Sequence, residues 1–154
     1  MALLRRFDPP TFARALDDWS WLLGGRPLQP LGCSMFGDVF FQGPDAIWFL
    51  DSIEGTLTPQ WHDTVALKAM LDSRDGQDRF LLAEIALAAQ RKGLRPGPSE
   101  ILDFTIPPAI GGQLSPNNVQ VADFVVASSL NGQIHRQIKD LPPGTRISGA
   151  EIGD

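Results

Sequence analysis

The chain has 154 residues, with 13 Lys and Arg against 18 Asp and Glu, for a net charge of −5. That is the length of one domain, with an ordinary globular composition and without the positive footprint that direct nucleic-acid binding needs. Apolar stretches fall short of the roughly 18 residues of a membrane span. Arg5 and Arg6 follow the short apolar patch rather than precede it as in a secretory signal, and the single Cys33 fits a reducing cytosol.

Phe12, Leu16, Trp19 and Leu23 recur at steps of four, three and four after Pro9-Pro10. This predicts a helix capped by Thr11 and stopped by Gly24-Gly25. A Pro-rich connector then runs to Pro30. Residues 33–43 and 46–51 are rich in aromatic and β-branched side chains, and QGPD between them is turn chemistry, so a β-hairpin is expected, with a third short strand around 55–58.

Helices are expected at 61–73 and 77–93, linked by the polar DSRDGQ. The second should bury Phe80, Ile85 and Ala88 and end at Arg91, Lys92 and Gly93. ILDFTI (101–106) and VQVADFVVA (119–127) read as strands on either side of an irregular loop, where two prolines and two glycines forbid a long regular element. Leu130, Ile134, Ile138 and Leu141 then space an amphipathic helix over 129–141, stopped by Pro142-Pro143-Gly144. The expected architecture is a single α+β domain, a mostly antiparallel sheet from the strands at 34–58 and 101–127 with helices packed on one face. Residues 1–30 form its N-terminal helix and connector, 31–147 its body and 148–154 a flexible tail.

Motifs for chemistry are sparse. His62 and His135 stand alone, without the HxxxH or CxxC pairing of a zinc site, so they read as surface histidines on two helices and no metal or cofactor is expected. Gly111-Gly112 fits neither phosphate-loop pattern and reads as a backbone turn. No GxSxG elbow is present, and Cys33 sits in an apolar run as an inert small hydrophobe. Asp17-Asp18 and the Asp72/Asp75 pair read as solvated charge. Asp38, inside FGDVFF, is the unusual acid: a hydrogen-bond partner for a turn or strand end, or else a catalytic acid. Arg91, Lys92 and Arg95 are the densest basic group, as befits a helix C-terminus.

Three stretches in order are recognisable: FGDVFFQG (36–43), IWFLDSIEGTLTP (47–59) and IPPAIGGQLSPNNVQVADFVVASSLNGQIHRQIKDLPPGTRI (106–147). Their arrangement resembles the C-terminal domain of the type VI secretion DNase immunity proteins, a domain often found behind a GAD-like domain. The marks of the resemblance are Phe36, Gly37 and Asp38 early, Pro107, Pro108, Gly111, Gly112 and Asn118 in the loop, and Gln133 and His135 in the terminal segment. Only about 20–30 residues precede the first matching strand, where longer members carry a full GAD-like domain.

The resemblance implies a cytoplasmic antitoxin. It would bind and neutralise a secreted antibacterial effector encoded by the adjacent gene, a nuclease, by occluding its active site. An acidic inhibitor is steered towards a basic substrate groove. Ile134, Ile138 and Leu141 are expected to dock the terminal helix on the sheet, while Gln133 and His135 fix the PPAIGG loop. Exposed acids are then the candidate contacts: Asp72, Asp75 and Asp78 around one turn, and Asp45, Asp51 and Glu54 bordering the hairpin. Trp61 is a candidate anchor, whereas Trp48 is expected in the core. Two alternatives stand beside this one: a small-ligand or adaptor module of the same fold, and a small hydrolase using Asp38 with His62 or His135.

Overall fold

In the computed structural model, which describes residues 3–142, the first helix starts from Asp8 and not from Thr11. The Asp8 carboxylate accepts the Thr11 N–H at 2.9 Å, and Pro9 and Pro10 fill the first turn, where no N–H is needed. The helical stretch runs as α1 (Pro9–Leu16), a 3₁₀ turn at Asp17–Trp19 and α2 (Ser20–Leu23). Gly24, at φ +62°, ends it with its N–H on the Ser20 carbonyl.

Five strands follow one another in an antiparallel meander: β1 (Leu4–Arg5), β2 (Gln29–Ser34), β3 (Val39–Gln42), β4 (Ile47–Asp51) and β5 (Thr56–Trp61). The expected hairpin is β3–β4, closed by Gly43 N–H on the Ala46 carbonyl at 2.9 Å, and the expected third strand is β5. The strands at 100–123 do not join this sheet. β6 (Glu100–Phe104) and β7 (Val119–Asp123) form a separate antiparallel ribbon, tied to the meander by the Leu102 N–H on the Met35 carbonyl at 2.7 Å.

The middle helices differ in their boundaries. Trp61 ends β5, so α3 (Thr64–Asp72) begins only after Asp63, whose carboxylate accepts the Ala66 N–H. Much of the expected polar linker is helical, because Ser73 Oγ caps α4 (Arg74–Leu81) through the Gly76 N–H. The expected helix at 77–93 is broken at Leu82, a non-glycine residue at φ +49°, and resumes as α5 (Ala83–Arg91).

The strand expected over 119–127 stops at Asp123. Its carboxylate accepts the Val126 N–H at 3.0 Å and opens α6 (Phe124–Ile138). Capping outweighs the β preference of Val125 and Val126, since in a helix Phe124, Ala127, Ser128, Ile134 and His135 share one buried stripe. Leu141, expected to dock, is 44% exposed, and Leu130, which shares its spacing, is 37% exposed. Pro143, Gly144 and the expected tail lie outside the described residues.

The α+β class and the antiparallel sheet hold, but the helices cover both faces of the sheet rather than one. Val39, Phe41 and Leu50 pack with Phe12, Leu16, Trp19 and Phe124. Phe40, Ile47 and Phe49, pointing the other way by strand alternation, pack with Trp61, Leu67 and Phe80. A third cluster, Met35, Phe36, Ala86, Ala89, Leu102 and Phe104, joins α5 to the ribbon.

Candidate functional site

The motif residues converge on one turn. Asp38 is 3% exposed, and Gly37, at φ +84°, lets the chain turn with Ile101 pressed against it. Asp38 Oδ1 accepts the Ser52 N–H at 2.8 Å and the Ser52 hydroxyl at 2.7 Å, while Oδ2 accepts the Ser34 hydroxyl at 2.7 Å. Ser34 Oγ in turn accepts the Phe36 and Asp38 N–H groups. Burial, and then the Asp51 charge, push the Asp38 carboxyl up to about 6 against the pull of these bonds.

His135 is buried on α6, not on the surface as expected, and reaches the same residue. Its Nε2 lies 2.9 Å from the Ser52 carbonyl oxygen. A carbonyl only accepts, so Nε2 carries the proton. Burial lowers the pKa of His135, and Gly55 (φ +71°) makes room for the ring, since a Cβ there would stand 2.4 Å from Nδ1. Asp38 and His135 are therefore brought together, while His62 is exposed at the β5–α3 junction. The Ser52 hydroxyl is directed to the carboxylate and His135 to the carbonyl, so the trio clamps the β4–β5 turn to its neighbours.

Neither His135 nor Gln133 holds the PPAIGG loop by a hydrogen bond, as was expected of them. Gln133 Nε2 donates to Asp18 Oδ2 at 3.2 Å. Asn118 is the staple: its Nδ2 donates to the Ile106 and Gln113 carbonyls, each at 2.9 Å, and its Oδ1 accepts the Ile106 N–H at 3.0 Å. Pro107 and Pro108 lead into a 3₁₀ turn ended by Gly111 at φ +104°, and a Cβ at Gly112 would collide with the Ile106 carbonyl at 1.6 Å. Between loop and α6 lies a cavity of about 10 Å³ bordered by Ser52, Asp103, Asn131 and His135, the size of one water. Asp103 at its wall has its pKa raised by burial.

The candidate contact acids divide into separate places. Asp45 sits at the β3–β4 turn and Asp51 with Glu54 at the β4–β5 turn, a strand length of about 17 Å apart. Asp51 Oδ1 accepts the Ile53 and Glu54 N–H groups and shapes that turn. Asp72 is exposed and paired with Lys68 at 2.6 Å. Asp75 and Asp78, three apart on α4, share a helix face. Trp61 is no exposed anchor: it is 7% exposed and packs against Phe80 with ring centroids 4.8 Å apart. Trp48 is half-buried beneath the Arg26 guanidinium.

Two hollows carry no sequence motif. One, of about 510 Å³ and mainly apolar, lies between α1 and β2 over Phe12, Leu16, Leu28 and Phe41. The other, of about 400 Å³, is bordered by Arg5, Arg6 and Arg95. Among the described residues no group of three or more His, Cys, Asp and Glu is poised to hold a metal, and no helix is long and apolar enough to cross a membrane.

Neither a protein-family model nor a curated protein matches the chain. Among solved structures, the crystal structure of Atu4351 from Agrobacterium tumefaciens is similar, with 17% identity and a TM-score of 0.59. The match covers 85% of this chain and spans 66% of the length of that one. At that identity the likeness is one of fold.

Proposed function

We propose that this chain is an immunity protein, which binds a type VI secretion effector of nuclease activity and blocks its active site in the cytosol. The observation that supports a binding role best is how the recognisable residues are used. Asp38, Gly112, Asn118 and His135 all serve internal contacts, which leaves the exposed acids free to vary with the partner. The α3–α4 turn, with Asp72 and Asp75 exposed and Asp78 half-buried, is the contact surface assigned to the toxin. Carboxylates there take the positions of substrate phosphates in a basic groove, and the complementary charge speeds encounter.

The test is co-purification with the product of the adjacent gene, followed by a DNA-cleavage assay of that product with and without this chain. A stable complex and arrested cleavage are expected. Replacing Asp72, Asp75 and Asp78 together by lysine should then weaken the complex at least tenfold. Unchanged affinity would move the contact elsewhere, and absence of a complex at micromolar concentration would end the immunity reading. The apolar hollow between α1 and β2 favours the second reading, a small-ligand module, because its volume lies in the range of ligand pockets. It is not, however, at the PPAIGG loop.

A further inference from the structure

The hollow bordered by Arg5, Arg6 and Arg95 stands out against the charge of the chain. Among the described residues three arginines border it and no carboxylate does, in a protein of net charge −5. They come from distant parts of the sequence: Arg5 and Arg6 from β1 and its end, Arg95 from the connection between α5 and β6. Pairing of Arg5 with Cys33 across β1 and β2 sets one wall.

Arg5 is already held in place. Its Nη2 donates to the Gly97 carbonyl at 2.7 Å, and its guanidinium lies 5.6 Å from the Phe7 ring centroid. A fixed guanidinium has less side-chain freedom to lose when it meets an oxyanion. Nearby acids are committed elsewhere. Glu100 accepts the Gly97 N–H at 2.8 Å, Asp8 caps α1, and Asp123 caps α6. The C-terminal carbonyls of α5, which would repel an anion, are also occupied: Ala88, Ala89 and Gln90 accept from Lys92, Gly93 and Leu94.

Leu4, Met35 and Pro96 add apolar surface to the wall, and Gln90 completes it. We infer that this cleft binds a soluble organic phosphate of two or more negative charges, its phosphate among Arg5, Arg6 and Arg95 and its organic part against Leu4, Met35 and Pro96. Three arginines lining one cleft suit a multiply charged oxyanion, for which paired N–H donors match the oxygen geometry. A nucleic-acid polymer is disfavoured, because in the adjoining hollow beyond Arg6 the carboxylates of Asp8 and Asp123 offset Arg6 and Arg14, so that no continuous basic stripe leads away from the cleft. The inference uses none of the residues assigned to the toxin and stands apart from the immunity reading.

Isothermal titration of the full chain at low ionic strength, with pyrophosphate and with ADP as probes, tests it. Both should bind saturably, ADP the tighter. Arg6→Ala and Arg95→Ala, exposed positions that leave the Arg5–Gly97 bond intact, should each weaken binding roughly tenfold. Arg74→Ala, on α4, should change nothing. No saturable binding at millimolar probe, or binding undiminished in the Arg6→Ala/Arg95→Ala double variant, overturns the site. ADP no tighter than pyrophosphate overturns the apolar wall. A single-stranded oligonucleotide that binds through Arg6 and Arg95 when neither small phosphate does overturns the choice of ligand class.

Discussion

The two faces of the five-stranded sheet are closed by different physics. Against α3 and α4 the contact is aromatic: Phe40, Phe49, Trp61 and Phe80 interlock with ring centroids 4.8–6.0 Å apart. Against α1 and α6 the apolar core is threaded with directional contacts. Trp19 Nε1 donates to the Ser128 carbonyl at 3.0 Å, Ser128 Oγ donates to the Ala15 carbonyl at 2.7 Å, and Trp21 Nε1 donates to the Gly132 carbonyl at 3.2 Å. Gly132 lets the helices touch, because a Cβ there would stand 2.7 Å from the Asp18 carbonyl oxygen. Area burial sets how strongly a face holds, whereas hydrogen bonds and close approach set where it holds.

This contrast can be broken by substitution. The largest loss is expected on the aromatic face, where Trp61→Ala should cost about 3–5 kcal/mol by urea denaturation. On the other face, Gly132→Ala should cost about 1–3 kcal/mol through overpacking against backbone. No loss there would mean that the helices slide freely and that the polar contacts do not set their position.

The clamp at Ser52 should make the α6 side sensitive to pH. Asp38→Asn turns one of the two accepting oxygens into an NH2 donor and so leaves either the Ser34 hydroxyl or the Ser52 pair without its acceptor, at about 1–3 kcal/mol. The wild-type Asp38 pKa is raised, so its contribution is full below the ordinary carboxylate range and is lost as pH rises through about 6. The penalty of Asp38→Asn should therefore shrink as pH rises through that value, and urea midpoints on either side of it check the sign. His135 slopes oppositely: its pKa is lowered, so its contribution is present above the ordinary histidine value and lost on acidification. In His135→Gln that acid loss should vanish from the profile. The smallest effect is expected for Ser128→Ala, about 1 kcal/mol, since Trp19 keeps its bond to the Ser128 carbonyl.

Where residues act through local chemistry, the sequence was legible. Phe12, Leu16 and Trp19 announced a buried helical stripe, QGPD a hairpin turn, and an acid inside FGDVFF a hydrogen-bonded turn. Misplaced boundaries trace to caps: Asp8, Ser73 and Asp123 each start a helix earlier than the apolar pattern suggests. Leu82 gave no sign of its left-handed backbone, because the helical pattern continues through it. Long-range pairings were out of reach: His135 with Ser52, Arg95 with Arg5 and Arg6, and Trp61 with Phe80. For these the partner is chosen by topology, not by neighbours in the chain.

Cys33 lies on β2 under α1, with no exposed surface, and burial, followed by the Asp38 charge, pushes its thiol up to about 12. A thiol so placed is unreactive while the sheet stays covered. It is therefore a built-in clock for opening. The rate at which a thiol-alkylating reagent labels this single cysteine measures how often α1 and its neighbours part from the sheet, and labelling in the variants above would show which face lets go first.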